Sequence, residues 1–140
     1  FSGTPVEGLV KPYIIIERAG VRVGVLGVSP ELKGLVSKKY YGKTKYKKPA
    51  KAVQPVIDLL RHKEQCDLVI CLSHLGFLER EEADPDFIAK TEGIDVVLGG
   101  HTHSEFKEPI SIKNKKGKDV VLNHIGKNGQ WIGTLTIDMK

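Results

Sequence analysis

Two uninterrupted apolar runs joined by a helical segment constrain the fold of this 140-residue chain more than any other feature. The runs are DLVICL at residues 67–72 and IDVVLGG at residues 94–100. Neither run alternates with polar residues, which is typical of parallel strands covered on both faces. For the helix between them we expect Asp84 as the N-cap, Pro85 at the first helical position and Gly93 as the stop. Strand, helix and strand in this order predict a right-handed β-α-β unit.

Each apolar run leads into a loop that carries histidine. SHLG at residues 73–76 follows the first run, and HTH at residues 101–103 follows the second. Neighbouring parallel strands end at the same edge of a sheet, which is where ligands bind in open α/β folds. Gly99 and Gly100 would let the backbone turn sharply and approach a ligand closely. The sequence therefore predicts a functional site at this edge.

We predict that His74, His101 and His103 bind metal. Neutral imidazole is the commonest metal ligand in proteins and suits Zn²⁺, Mn²⁺ or iron. Two imidazoles two positions apart on an extended loop can point the same way or diverge towards two adjacent ions. Three histidines without a thiolate fit a catalytic centre better than a closed structural site.

Three other polar residues are indicated less strongly as functional residues. His62 is expected to face solvent near the end of a helix. His124 either approaches the site or simply ends a strand, and the sequence does not decide between the two. Ser73 is not a nucleophile paired with His74, because neighbours along an extended chain point in opposite directions. We expect its hydroxyl to bond the local turn. The chain has neither a Gly-x-Ser-x-Gly elbow nor a Walker-type phosphate loop.

Further elements are predicted on both sides of the β-α-β unit. A hairpin is expected from strands at residues 13–17 and 21–28, with its turn at Ala19–Gly20. A helix is expected over residues 53–63, beginning near Val53 so that Pro55 lies in its first turn.

After the second histidine loop, the pattern changes to short strands. They are expected at residues 108–112 (EPISI), 119–125 (DVVLNHI) and 130–139 (QWIGTLTIDM). Alternation in the last of these would put four apolar side chains on one face, namely Trp131, Leu135, Ile137 and Met139.

The formal net charge of +5 would favour partners that carry phosphate. The excess lysine is concentrated at residues 37–51 and 113–118, and the first of these segments also carries three tyrosines. No nucleic-acid recognition motif accompanies them, so we expect solvated loops and no nucleic-acid polymer as partner.

Two further classes of structure are not expected. The chain has no stretch of 18 apolar residues, so no membrane span is predicted. Cys66 and Cys71 are badly placed for a disulfide with each other, and we expect two buried thiols.

The two histidine motifs resemble those of the metallophosphoesterase (calcineurin-like) superfamily. The matching residues are LSHLG at 72–76 and IDVVLGGHTH at 94–103. Within the superfamily, the chain is most similar to 5'-nucleotidases and 2',3'-cyclic-nucleotide phosphodiesterases. The resemblance extends to GVRVGVLGVSPEL at 20–32 and VLNHIGKNGQWIGTLTIDM at 121–139, so it covers nearly the whole chain.

The resemblance implies an α/β fold, part of a four-layer α-β-β-α sandwich whose mixed sheet has a parallel β-α-β core. Residues 1–140 would form the second half of the catalytic domain, with the first half and a C-terminal nucleotide-specificity domain outside the chain. The family site holds two divalent ions, such as Zn or Mn. By position, His74 and His101 would bind one ion and His103 the other.

The same resemblance implies that the parent protein hydrolyses phosphate esters, above all 5'-nucleotides to nucleosides. The family's Asp-x-His motif, bridging aspartate and catalytic histidine are not found here, so no catalytic residue is expected in this chain. Alone it should be nearly inactive, because three neutral histidines do not offset the charge of two dications. The resemblance also implies a periplasmic or cell-surface location.

Two alternatives stay open at this point. The parent could be a 2',3'-cyclic nucleotide phosphodiesterase or a nucleotide-sugar hydrolase with the same fold. In another class, the chain could be a binding module without catalytic activity, in which case the histidines would be structural and their rings would point apart.

Overall fold

A computed structural model of the chain describes residues 6–78 and 81–139. Its centre is a six-stranded mixed sheet with the spatial order β1-β2-β3-β4-β6-β5. The inner strands β2, β3, β4 and β6 are parallel, and each outer strand is antiparallel to its neighbour. The strands are β1 (Tyr13–Arg18), β2 (Val21–Val28), β3 (Leu68–Ser73), β4 (Val96–Gly99), β5 (Ile110–Lys113) and β6 (Asp119–His124).

Helices cover one face of this sheet. These are α2 (Pro49–Asp58), which continues into a π-helical turn (Leu59–Lys63), and α3 (Asp84–Ala89), whereas the short α1 (Lys38–Tyr41) has no buried residue. Ile57, Leu60 and Phe87 from the helices are fully buried in one core with Val69 and Val97 from the sheet. None of the helices in the described ranges has the length and apolar character needed to cross a bilayer.

The predicted β-α-β unit is confirmed. β3 and β4 are parallel neighbours, paired from Ile70 with Val96 to Leu72 with Leu98, and α3 lies between them in the chain. The histidine loops after β3 and β4 therefore begin at the same edge of the sheet.

The predicted hairpin is also present, and the short strands β5 and β6 form a second one. β1 and β2 are antiparallel across the Ala19–Gly20 turn. β5 and β6 are antiparallel across the lysine-rich turn, where Asn114 accepts bonds from the amides of Lys116 and Lys118. Both cysteines are buried free thiols, as predicted.

The predicted start of α2 near Val53 is wrong. The helix begins at Pro49, and Pro55 lies inside it. Pro49 occupies the first turn, where the missing N–H costs little. Pro55 removes one internal hydrogen bond, and the apolar residues on the inner face keep the segment helical beyond it.

The predicted ends of α3 are wrong as well. Asp84 is the first residue of the helix and not its N-cap, which is Ala83, and no side chain among the described residues caps the helix. The Asp84 carboxylate is fully buried and bonded elsewhere, so it cannot accept the amides of the first turn. The helix ends at Ala89, four residues before Gly93.

The predicted strand at residues 130–139 is not formed. The strand that precedes this segment in the chain, β6, already has β4 on one side and β5 on the other. The segment instead brings Gly133 against the side chains of Asn123 and Ile125.

The second face of the sheet carries apolar side chains that remain exposed. Leu72 and Leu98 are paired neighbours on this face, opposite the helices, and Leu72 is 51% exposed. Ile14 and Ile16 on β1 are exposed as well, and the register puts them on the same face. In the described residues the fold therefore has two layers, helices on a sheet, with an open apolar surface behind the sheet.

Candidate metal-binding site

The rings of His74 and His101 lie side by side although 27 positions separate them in the chain. Their centroids are 5.0 Å apart and the ring planes are tilted by 55°. His74 follows the last residue of β3, where its amide donates to the carbonyl of Val28. His101 comes two residues after the end of β4. The order of the parallel strands brings the two imidazoles together, as the sequence predicts.

The backbone of the second loop is unusual at both of its histidines. The φ angle is 79° at His101 and 57° at His103, in the left-handed region that non-glycine residues seldom adopt. Each such residue costs about 1–2 kcal/mol of conformational energy. Local strain of this kind is concentrated at binding and catalytic sites, where the surrounding structure enforces it.

His103 does not join the first two histidines in a compact cluster. Its side chain is exposed. Across residues 6–78 and 81–139, no three His, Cys, Asp or Glu side chains converge on a point that could hold an ion. Such a cluster is not required if His74 and His101 bind one ion and His103 binds a second ion. The assignment of His103 to a separate ion stays a prediction.

A buried chain of hydrogen-bonded polar side chains, formed by Ser73, Asp84 and His124, lies next to the His74 loop. Asp84 is 0% exposed and His124 is 1% exposed. One carboxylate oxygen of Asp84 accepts a bond from the Ser73 hydroxyl, and the other lies 2.8 Å from Nε2 of His124. The Ser73 oxygen also accepts from the amide of Leu75 at 3.1 Å, so the predicted bond to the local turn is confirmed.

Sequence reasoning missed this polar chain. Asp84 has the local signature of an N-cap, which carries no information about long-range partners. For His124 a signal is present, because it continues the alternation of Val120 and Leu122, both of which point into the core. Its ring is buried and bonded to Asp84, so His124 supports the site from behind and is not placed to ligate an ion at the surface.

Cys71 belongs to the buried side of the site as well. Burial, reinforced by the nearby Asp84 carboxylate, raises the pKa of its thiol to about 12. The thiol is therefore protonated at neutral pH, whereas metal ligation and nucleophilic attack require the thiolate. His62, in contrast, is exposed on the π-helical turn, as predicted.

The two lysine-rich segments lie on the surface, and several of their lysines pair with carboxylates. Lys48 lies near Glu82, Lys113 near Asp119 and Lys116 near Glu92. In the first segment, Tyr46 donates a 2.7 Å hydrogen bond to Glu82, and burial together with this bond raises the pKa of Tyr46.

Comparison with known proteins identifies relatives of the chain. Residues 1–105 match the family model of the calcineurin-like phosphoesterases. An apyrase from Tabanus yao is 28% identical, over 94% of this chain and 25% of the relative. A 5'-nucleotidase from Vibrio cholerae is 26% identical, over 75% of this chain and 20% of the relative.

A solved structure supports the same relationship. The 5'-nucleotidase precursor from Thermus thermophilus matches with a TM-score of 0.70 and 27% identity, over 85% of this chain and 25% of that one. The chain thus spans about a quarter of the length of the relatives it matches.

Proposed function

The chain belongs to the calcineurin-like phosphoesterase family, and we propose that the protein containing it hydrolyses phosphate esters with two divalent metal ions. The observation that carries this proposal is the pairing of the His74 and His101 imidazoles at the ends of adjacent parallel strands.

The donor set fits a divalent ion. With metal–nitrogen bonds of about 2.1 Å, two imidazoles at roughly tetrahedral angles around one ion have centroids about 5 Å apart. The two rings are separated by 5.0 Å. Zn²⁺ and Mn²⁺ both accept imidazole nitrogen, so either metal suits the pair.

In this proposal, His74 and His101 bind one ion and His103 binds the other. A pair of divalent ions stabilises both the attacking and the leaving oxygen of a phosphoryl group. The part of this chain is to supply imidazole nitrogens as ligands at the edge of the sheet. None of them is proposed as an acid, a base or a nucleophile. The negatively charged ligands that offset the two dications would come from the preceding part of the domain.

We propose further that residues 1–140 are the second half of the catalytic domain. Two observations support this. The chain spans about a quarter of its relatives, and the face of the sheet opposite the helices exposes Leu72, Leu98 and Ile14. Apolar surface of this kind is normally covered by another layer. The first half of the domain would supply that layer as a second sheet and complete the four-layer sandwich.

The proposed substrates are 5'-nucleotides, which would be converted to nucleosides. Support comes from the relatives that are named 5'-nucleotidases. A 2',3'-cyclic nucleotide or a nucleotide sugar would need the same metal centre and a different substrate pocket. The binding-module alternative expects rings that point apart, and the 5.0 Å separation argues against it.

The test is an assay of the full-length protein with added Mn²⁺ against AMP and against a phosphodiester such as bis(p-nitrophenyl) phosphate. We expect release of phosphate from AMP, and we expect H74N and H101N to lower kcat/KM by more than about 100-fold, because each removes a direct ligand. H62N is the matched control, since His62 is exposed on the π-helical turn. Hydrolysis of the diester alone would point to a phosphodiesterase. Full activity in H74N and H101N would refute the proposal.

The same proposal includes export to the periplasm or cell surface, which rests on the family resemblance. Cell fractionation with an antibody against the protein checks it, and recovery of the protein only in the cytoplasmic fraction would contradict it.

A further inference from the structure

Asp84 is the centre of the buried polar chain formed by Ser73, Asp84 and His124. Its carboxylate has no contact with solvent, and both of its oxygens are hydrogen-bonded. An ionisable group in the protein interior is costly unless its bonding capacity is met. Asp84 is therefore held in one position by two bonds that come from different strands.

The first of these bonds fixes the loop that carries His74. Ser73 is the last residue of β3 and directly precedes His74. Its oxygen receives the amide of Leu75 while its hydroxyl donates to Asp84. In addition, the backbone amide of Asp84 donates to the carbonyl of Gly76 at 2.8 Å. Asp84 thus ties both ends of the SHLG turn to the start of α3.

The second bond fixes the end of β4, from which the His101 loop starts. His124 is the register partner of Gly99. A Cβ built on Gly99 would lie 1.9 Å from Nε2 of His124. The imidazole therefore occupies the space beside Gly99 that any other side chain would need. Gly99 lies two residues before His101, so displacement of this ring displaces the start of the loop.

The His124 ring is held by its neighbours as well as by Asp84. Its centroid lies 5.2 Å from that of Phe106 and 6.1 Å from that of Phe77, and the two phenyl rings contact each other at 4.9 Å. Its Nδ1 is buried and has no hydrogen-bond partner among the described residues. An apolar side chain would avoid the cost of that unpaired nitrogen. The bond from Nε2 to Asp84 is what distinguishes histidine at this position.

We propose that Asp84 and His124 are positioning residues for the metal centre. Asp84 takes one bond from the strand that leads to His74 and one from the ring that packs on Gly99. It thereby fixes the positions of the two histidine loops relative to each other, so that the nitrogens of His74 and His101 lie together. This inference rests on the proposed function, because it assigns a role within the same site. Loss of a partner that orients a metal ligand typically weakens metal affinity by about 10–100-fold.

The experiment compares two replacements of His124 in the full-length protein. H124Q keeps an N–H group near the position of Nε2, and H124M has a similar length without a donor. Mn²⁺ affinity, kcat and KM are measured for each, together with thermal unfolding of the metal-free protein. We expect H124M to weaken Mn²⁺ binding about tenfold, and we expect H124Q to recover most of that loss.

A second variant, G99A, displaces the same ring through a change on β4. It tests the proposal even if H124M does not fold. In G99A the new methyl group displaces the imidazole, so Mn²⁺ affinity should fall as it does in H124M. In G99A/H124A the methyl has room, but the bond to Asp84 is absent, so affinity should stay low while stability recovers relative to G99A. H62N is again the control, because His62 is exposed on the π-helical turn.

The outcomes separate this inference from the proposed function. If the wild-type protein binds no Mn²⁺ and cleaves no phosphate ester, the proposed function fails. If the wild type binds and cleaves while H124M and G99A keep wild-type Mn²⁺ affinity and lose only thermal stability, the positioning role is overturned and the proposed function stands.

Discussion

The side chain of Thr102 packs directly against Gly76, so that a Cβ on Gly76 would lie 2.6 Å from Cγ2 of Thr102. Gly76 has a φ angle of +88°, and the amide of the next residue, Phe77, donates to Oγ1 of Thr102 at 2.9 Å. The glycine of the SHLG motif thus makes room for the central residue of the HTH motif. The two histidine loops are one interlocked unit, and the first prediction follows from this.

G76A should destabilise the protein by about 2–4 kcal/mol. The methyl group would collide with Thr102, and alanine is strained at a φ of +88°. The measurement is urea denaturation of the wild type and the variant, followed by circular dichroism.

T102S provides the control for this prediction. Serine keeps the oxygen that accepts from Phe77 and lacks the methyl group that causes the collision. G76A/T102S should therefore regain about 1 kcal/mol or more relative to G76A. Equal stability of G76A and the wild type would show that the loops do not interlock.

Arg61 gives a prediction about the opposite edge of the sheet, where β3 and β4 begin. Its guanidinium donates to the carbonyls of Gly93, Cys66 and Asp67 at 2.9–3.0 Å and pairs with the carboxylate of Asp95. R61M should cost about 2–4 kcal/mol, because these acceptors lose a charged donor. Urea denaturation measures the loss.

R61K separates charge from geometry at the same position. Lysine keeps the positive charge but lacks the planar fork that reaches several acceptors, so R61K should recover only a minor part of the stability. Mn²⁺ affinity of the folded protein should not change in either variant, since Arg61 lies at the edge away from the histidines. A loss of Mn²⁺ affinity in R61M at temperatures where it is folded would contradict this separation of fold and site.

The two cysteines should be unreactive in the folded protein. Burial raises the pKa of both thiols, and that of Cys71 reaches about 12. The pKa of a cysteine thiol in an unfolded chain is about 8.5. At that pH we therefore expect slow labelling by iodoacetamide in buffer and rapid labelling in urea. C66A and C71A variants, each with one of these cysteines, assign the rates to single residues.

The raised pKa values also give a sign for the dependence of stability on pH. The folded state retains a proton that the unfolded state releases, so the contribution of Cys71 is fully present below about pH 8.5. It is lost as the pH rises from there towards about 12. If iodoacetamide labels Cys71 of the folded protein rapidly at about pH 8.5, its thiol is neither buried nor protonated.

The sequence predicts the central strands and the meeting of the histidine loops because short-range patterns determine them. The continuous apolar runs ending near Ser73 and Gly99 identify buried parallel strands, and adjacent parallel strands end together. This topology brings the loops of His74 and His101 to the same edge of the sheet. The hairpin around Ala19–Gly20 is equally local.

The errors arise where a residue's partners are remote or where two local signals compete. Asp84 has the pattern of an N-cap, but its carboxylate binds Ser73 and His124, 11 and 40 positions away. The segment at 130–139 alternates like a strand, but its predecessor in the chain, β6, already pairs with β4 and β5, which local alternation does not reveal. The start of α2 is misplaced because Pro49 and Pro55 both fit a first turn, and only packing on the sheet decides between them.

The central claim is that His74 and His101 share one divalent ion, and the most direct measurement is a crystal structure of the full-length protein grown with Zn²⁺. Anomalous scattering at the zinc edge locates the ions directly. We predict one peak at about 2.1 Å from a ring nitrogen of both His74 and His101, and a second peak bound by His103. Zinc peaks that all lie beyond bonding distance of the His74 and His101 rings would contradict the account.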